Sequence, residues 1–328
     1  MKLKQTLPYF PLLALLALGS CVKDDSGQMT SFDNNRINMV VADNFNLSAF
    51  SAALRRSALE KELKEGDGPY TILAPSDAAF GTAGYSTPTA VLAANSATIT
   101  RIVNYHFIDG RYRLDTLPYA FNQELRSRGG KMFATHYIKG TDTVITINGA
   151  RVLAANIQAS NGLVQVLDQV LTPYTHDRIG DAVAAQTDIT LFSQALKTSG
   201  LLETINSGGP YTIFAPNNDA MIARGFATVQ QVLAADPQVL KQLVSYHIVR
   251  ERNFIYDYIL RTGAANTSKQ VMLDGNDVNV NLVPNPNVPG SFNSISLRGT
   301  GNTSDVQLSR RDILTGNGVL HVINGTLR

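Results

Sequence analysis

Apolar positions along the chain follow two spacings, and each spacing occurs twice. Leu47, Phe50, Leu54 and Ala58 recur at helical intervals, as do Leu191, Ala195 and Leu196, and each set predicts an amphipathic helix. A further helix is predicted in each of the two stretches that close on Tyr-His, burying Ile102 and Val103 in one and Leu243 and Val244 in the other. Beyond each Tyr-His the pattern becomes strand-like. "KMFATHYI", "TVITI" and "ARVLAANI" read as strands with hairpin turns at Lys139-Gly140 and Asn148-Gly149; "KQVML" and "DVNVNLV" flank a turn at Asp274-Gly275. A closing Asn-Gly then launches a nearly continuous apolar run after Gly162 and again after Gly318, the pattern of a buried strand.

The doubled pattern is a doubled sequence. "GPYTILAPSDAAF" (68–80) returns as "GPYTIFAPNNDAM" (209–221), and "VLAANSATITRIVNYH" (91–106) as "VLAADPQVLKQLVSYH" (232–247), both 141 residues later. Upstream of these, Phe50 aligns with Phe192 and Leu54 with Leu196. "NGLVQVLDQVL" (161–171) returns as "NGVLHVINGTL" (317–327) at an offset of 156, so the second copy holds 15 additional residues between its Tyr-His and its Asn-Gly. The Pro-, Asn- and Gly-rich stretch 283–302 is expected to carry them as exposed loop. Each copy is domain-sized, which predicts tandem domains over 37–175 and 178–328 rather than a solenoid. With helices gathered in the first half of each and an antiparallel sheet in the second, the fold class is α+β.

The repeated phrase reads as a strand-to-helix corner. Pro75 and Pro216 cannot continue a central ladder, so the strand ends there. Ser76 and Asn217 follow as helix N-caps, and Asp77 places a negative charge in the first turn, where the helix dipole favours it. Taken in order, this phrase, the helix closing on Tyr-His and the Asn-Gly run resemble the three signature segments of the fasciclin (FAS1) domain, twice over. The resemblance implies two FAS1 domains, each an antiparallel β-sheet wedge or sandwich with helices from its N-terminal half. It also implies adhesion to cells, matrix or glycans, with Tyr105-His106 and Tyr246-His247 as candidate interaction residues. The competing expectation is that these rings pack beneath the sheet and bond to backbone at the helix end. The second copy departs from the pattern at Asn218, Asp219 and Met221 and in its terminal "INGTLR".

The N-terminus changes the picture of location. "MKLKQTLPYFPLLALLALGSC" has a basic start and an apolar run too short for a comfortable membrane span, which reads as a signal peptide over 1–20. "LGSC" at 18–21 resembles the lipobox of bacterial lipoproteins, making Cys21, the only cysteine, the lipid anchor. The polar stretch 21–36 is expected to be a flexible tether, and its "VKDD" resembles the surface-export tethers of Bacteroidetes lipoproteins. Removing Lys2 and Lys4 with the signal leaves 26 basic and 26 acidic residues, a balance that favours neither nucleic acid nor anionic lipid.

Candidate chemistry adds little. The five histidines, His106, His136, His176, His247 and His321, show no i,i+3 or i,i+4 pairing, and "LDGNDVN" (273–279) has its glycine misplaced for a calcium loop. There is no GxSxG, Walker loop or dinucleotide fingerprint. Asp115 and Asp142 begin tripeptides resembling Bacteroidetes O-glycosylation sites. No metal, cofactor or enzymatic activity is expected. The expectation is a lipid-anchored cell-envelope binding protein, at the outer membrane and displayed on a tether, that holds an extracellular protein or glycan. The alternative is a non-catalytic accessory subunit of an outer-membrane nutrient-uptake system, which an exposed apolar patch on one domain would favour.

Overall fold

The computed structural model describes residues 35–328. The signal peptide, Cys21 and nearly all of the tether lie outside them. The first copy opens with helices α1 (Ile37–Ala42), α2 (Ser48–Arg56) and α3 (Leu59–Glu65). Strand β1 (Tyr70–Pro75) follows, then α4 (Asp77–Thr82), α5 (Pro88–Ala93) and α6 (Ser96–Tyr105). Six strands complete it: β2 (Phe107–Asp109), β3 (Gln123–Ser127), β4 (Gly130–Lys139), β5 (Asp142–Ile147), β6 (Ala150–Ala159) and β7 (Gly162–Leu167). The second copy repeats the order with α7 (Ile179–Ala184), α8 (Thr190–Thr198), α9 (Leu202–Ser207), β8 (Tyr211–Pro216), α10 (Asn218–Ala223), α11 (Val229–Ala234), α12 (Pro237–Ser245) and β9 (Ile248–Val249). It then adds a helix, α13 (Ile255–Arg261), before β10 (Thr267–Val271), β11 (Asp277–Pro284), β12 (Phe292–Gly299), β13 (Val306–Thr315) and β14 (Gly318–Ile323).

Each copy is a seven-stranded sheet, ordered β2-β1-β7-β6-β5-β4-β3 in the first and β10-β11-β12-β13-β14-β8-β9 in the second. The predicted antiparallel sheet holds except at one step. β1 runs parallel to β7, pairing Tyr70 with Gly162 through to Pro75 with Leu167, and β8 does the same with β14. The reason is burial on both faces. Ile72, Ala74, Val164 and Val166 face the helices with Phe50, Leu54 and Phe80, while Leu73 and Leu167 face an inner core with Met132, Ala134 and Ile147. Strands buried on both sides lose the apolar-polar alternation that would have marked them, and they tolerate parallel pairing. β5 and β6 pair only at Thr146–Arg151 and Ile147–Ala150, and β12 and β13 at two positions as well, so each sheet splays into a wedge.

Three details correct the sequence reading. The first predicted helix is broken at Ala58, whose φ of 62° is left-handed, into α2 and α3. The extra residues of the second copy are not confined to 283–302. The loops 285–291 and 300–305 take much of the length, but the turn 272–276 and the segment bearing α13 take the rest. That segment places a helix beyond Tyr-His, where the first copy has only the short 3-10 turn Leu114–Thr116. Helices are therefore not limited to the N-terminal half in the second copy.

Candidate functional site

The corner forms as its residues dictate. Ser76 Oγ accepts from Ala79 N–H at 3.2 Å, and Asn217 Oδ1 from Ala220 N–H at 2.8 Å, capping α4 and α10 directly after Pro75 and Pro216. Asp77 has a role beyond its own helix dipole. Its carboxylate accepts from Ala49 N–H at 2.8 Å and Ser48 Oγ at 2.6 Å, so it caps α2 as well. Asn218, which looked like a departure in the sequence, takes the same place: its Oδ1 accepts from Leu191 N–H at 3.1 Å and Thr190 Oγ1 at 3.2 Å. An amide oxygen serves a cap as well as a carboxylate does, so the exchange leaves the corner intact.

The Tyr-His pairs lie inside their domains. His106 and His247 are fully buried, Tyr105 fully and Tyr246 nearly so. His106 Nδ1 donates to Ile102 O at 2.8 Å, and its Nε2 accepts from Leu171 N–H at 3.0 Å. His247 repeats this with Leu243 O at 2.7 Å and Leu327 N–H at 2.9 Å. Each imidazole thus ties the end of a helix to the segment after the last strand, and its two bonds require the neutral ring. Burial pushes both down to about 4. Tyr105 donates its hydroxyl to Lys131 O at 2.7 Å and accepts from Asn148 Nδ2 at 2.9 Å; Tyr246 donates to Asp277 O at 2.8 Å. The bonding capacity of these four side chains is directed into the framework.

A second pair of repeat-equivalent sites was hidden from the sequence because its residue types differ. Asn156 and Asp312 both take φ 58° at equivalent positions of β6 and β13. Asn156 N–H donates to Gln165 Oε1 at 2.7 Å, whose Nε2 donates to Tyr112 O at 3.3 Å. In the second copy Asp312 N–H donates to His321 Nδ1 at 3.0 Å, and His321 Nε2 donates to Asn253 O at 3.1 Å. His321 therefore does the work of Gln165 with a titratable ring, pushed down to about 4 by burial, while Asp312 is pushed up to about 7 by the same cause. The common offset of 156 residues was the only signal that could have paired them. Among the described residues, no three His, Cys, Asp or Glu side chains gather where they could hold a metal ion.

The copies meet across α13, which strand β4 of the first copy grips at both ends. Buried Asp257, in the first turn of α13, accepts from Phe254 N–H at 2.9 Å, Thr135 Oγ1 at 2.9 Å and Asn122 Nδ2 at 3.2 Å. At the other end Lys139 Nζ donates to Ile259 O at 2.5 Å and Thr262 O at 2.6 Å, a cation on the helix C-terminus. Arg252 is buried beside them. It donates to Thr315, Gly316 and Gly318 carbonyls, and its guanidinium lies 3.7 Å from the centre of the Phe133 ring. Burial raises the Asp257 carboxyl and brings Arg252 down to about 10. Nothing in the local spacing around Asn122, Thr135, Lys139 or Asp257 announced this contact, because each residue is ordinary until the two copies are brought together.

The family model of the fasciclin domain matches residues 45–173 and again 187–328. The chain belongs to the fasciclin-domain family. It is similar to human periostin, 27% identical over 277 residues, covering 83% of this chain and 29% of periostin. It is also similar to pig transforming growth factor-beta-induced protein ig-h3, at 25% identity over 83% of this chain and 36% of that protein. The fasciclin chain thus spans about a third of the length of these relatives. Protein sll1483 of Synechocystis is 30% identical over 135 residues, 41% of this chain and 71% of that one. Among solved structures, a FAS1 domain pair from the insect cell adhesion molecule Fasciclin I covers 85% of this chain and 95% of that one, with 17% identity and a TM-score of 0.41.

Proposed function

We propose that this fasciclin-family chain is a lipid-anchored, cell-envelope binding protein whose two domains engage an extracellular protein or glycan, without catalysis. The observation that carries the reading is the grip on α13: two family-matched domains joined by buried polar contacts present one fixed surface to a partner. A fixed pair avoids the ordering cost that two loosely linked modules would meet on binding. The reading is also supported by the Tyr-His pairs: both histidines bond backbone through both nitrogens and Tyr105 is fully buried, so these three act on binding by positioning their domains, while Tyr246 lines a groove with Phe226 and Leu327. The lipobox at 18–21 supports anchoring through Cys21, and the tether supports display at the outer membrane.

Membrane fractionation and protease shaving of intact cells test this together. The native protein is expected in the outer-membrane fraction and open to protease, and Cys21→Ser is expected in the soluble fraction. Retention of Cys21→Ser in the membrane would overturn the lipid anchor. Recovery of an outer-membrane transporter with the native protein, in place of an extracellular ligand, would turn the reading to the accessory-subunit alternative.

A further inference from the structure

Two arginines of the second copy stand without a carboxylate, and both line one cleft. The cleft, of about 720 Å³, lies between strands β3 and β4 of the first copy and the segments 207–210 and 250–252 of the second. Its walls carry four cations, Lys131, Arg250, Arg252 and Arg261, and two acids, Glu124 and Glu251, so four less two leaves a net charge of +2. Both acids are already matched, Glu124 by Lys131 at 3.0 Å and Glu251 by Arg261 at 2.8 Å. The side chain of Arg250 is exposed and makes no hydrogen bond or salt bridge among the described residues. Arg252 is only 6% exposed and bonds the carbonyls of Thr315, Gly316 and Gly318, but no carboxylate. Brought down to about 10 by burial, it still carries its charge at neutral pH.

The first copy shows how much of this the fold itself requires. Position 250 corresponds to Asp109, an acid held by Arg128 at 3.0 Å, and position 252 to Arg111. Arg111 also reaches a carbonyl of the closing hairpin, Ala159 O, but from an exposed side chain. The carbonyl contact therefore belongs to the fold. The burial of Arg252 against Phe133, with an unmatched Arg250 two residues away, belongs to the joined pair. A buried cation with no opposite charge is costly, and an anion brought into the cleft offsets that cost.

The lining selects among anions. The two aromatic rings of the cleft, Phe133 and Phe121, each carry a guanidinium, Arg252 at 3.7 Å and Arg261 at 4.2 Å, in place of an open face on which a sugar would stack. The backbone offers more. The first sheet ends at β3, which pairs with β4 alone and makes no other backbone–backbone bond among the described residues. Glu124 of this strand lines the cleft, so an open sheet edge and two unmatched cations border one space. Such an edge takes an extended peptide through main-chain hydrogen bonds. We infer that the cleft docks an extended acidic segment of a partner protein, whose backbone follows the free edge of β3 and whose carboxylates meet Arg250 beside the buried charge of Arg252. This deepens the proposed binding role, rests on it, and names a protein rather than a glycan as the ligand.

Fluorescence anisotropy of a fluorescein-labelled Glu-Val-Glu-Val-Glu-Val amide, added to the full chain carrying Cys21→Ser, tests the cleft directly. In about 20 mM salt the dissociation constant is expected on the order of 100 µM, and in about 0.3 M salt, where exposed charges are screened, at least roughly tenfold weaker. Arg250→Glu is expected to weaken binding at least roughly tenfold in low salt. Lys241→Glu makes the same change of net charge at an exposed position of α12 outside the cleft, and is expected to leave binding within about twofold. The peptide with glutamine for glutamate should not bind, and hexagalacturonate should displace the labelled peptide less well than the unlabelled peptide does. Circular dichroism confirms that both surface variants are folded. A native chain that leaves the peptide free at about 1 mM overturns the inference, as does binding indifferent to Arg250→Glu. Either result leaves the wider binding role standing wherever intact cells still yield an extracellular ligand with the native protein. Tighter, Arg250-dependent binding of hexagalacturonate overturns the inference too, because the cleft would then read an acidic glycan.

Discussion

His321 and Gln165 occupy equivalent positions and make equivalent bonds, so the first copy already contains the side chain that the second should accept. His321→Gln keeps an acceptor for Asp312 N–H and a donor for Asn253 O. It loses the ring stacked on Phe214, whose centre is 5.1 Å away. At about pH 7.5 the expected cost is therefore about 1 kcal/mol, the scale of one aromatic contact. Acid adds the opposite effect. The buried imidazole is pushed down to about 4, whereas in the unfolded chain it titrates near 6.5. A base with a lowered folded pKa takes its proton more readily when unfolded. Its stabilising contribution is complete above about pH 6.5 and drains away as pH falls toward 4. At about pH 5 the loss comes to about 2 kcal/mol, which glutamine does not suffer. His106 and His247 titrate alike in both proteins and cancel in the difference. Asp312, pushed up to about 7, is mostly protonated at pH 5 in both. Urea unfolding followed by circular dichroism at the two pH values measures the result, since the chain has no tryptophan to follow. The variant should be weaker than the native protein at about pH 7.5 and equal or stronger at about pH 5. A difference that is the same at both pH values, within about 0.5 kcal/mol, would refute the buried neutral histidine.

Two further outcomes follow from buried hydrogen bonds. His106→Ala strands Leu171 N–H in the core and opens a cavity, so thermal unfolding should show a loss of about 3 kcal/mol with the proposed ligand binding retained. Unchanged melting with abolished binding would instead make His106 a contact residue. Asp257→Ala leaves Phe254 N–H, Thr135 Oγ1 and Asn122 Nδ2 without their shared acceptor. Calorimetry of this variant should show the two domains melting as separate, lower transitions where the native pair melts together; a single transition at the native midpoint would show that α13 does not couple them.

The parts of this protein that were legible in its sequence are those governed by neighbours along the chain. Caps at Ser76 and Asn217 act over three residues and the turn at Asn148-Gly149 over two, and the repeated order of such signals was enough to identify the domain; the turn expected at Lys139-Gly140 falls one residue later, at Gly140-Thr141, and the one around Asp274-Gly275 spans 272–276. The break at Ala58 escaped because alanine is the strongest of the helix formers, and nothing in its type announces a left-handed backbone. The parallel step between β1 and β7 escaped because strands buried on both faces carry no alternation from which to read direction.

By itself the sequence determined that there are two copies, where each strand turns into a helix, and which residue types close each corner. Only the tertiary structure decided what those side chains bond to. Asp77 reaches a helix 28 residues away in sequence, His106 reaches Leu171 across 65, and Thr135 meets Asp257 across 122. A hydrogen bond is settled by distance and direction in space, and a chain that folds twice from the same pattern does not announce where its halves will touch. Ile222, Val229 and Val239 belong to both accounts: the repeat shows that the first copy has Gly81, Pro88 and Thr98 in their places, and the fold shows that all three are exposed.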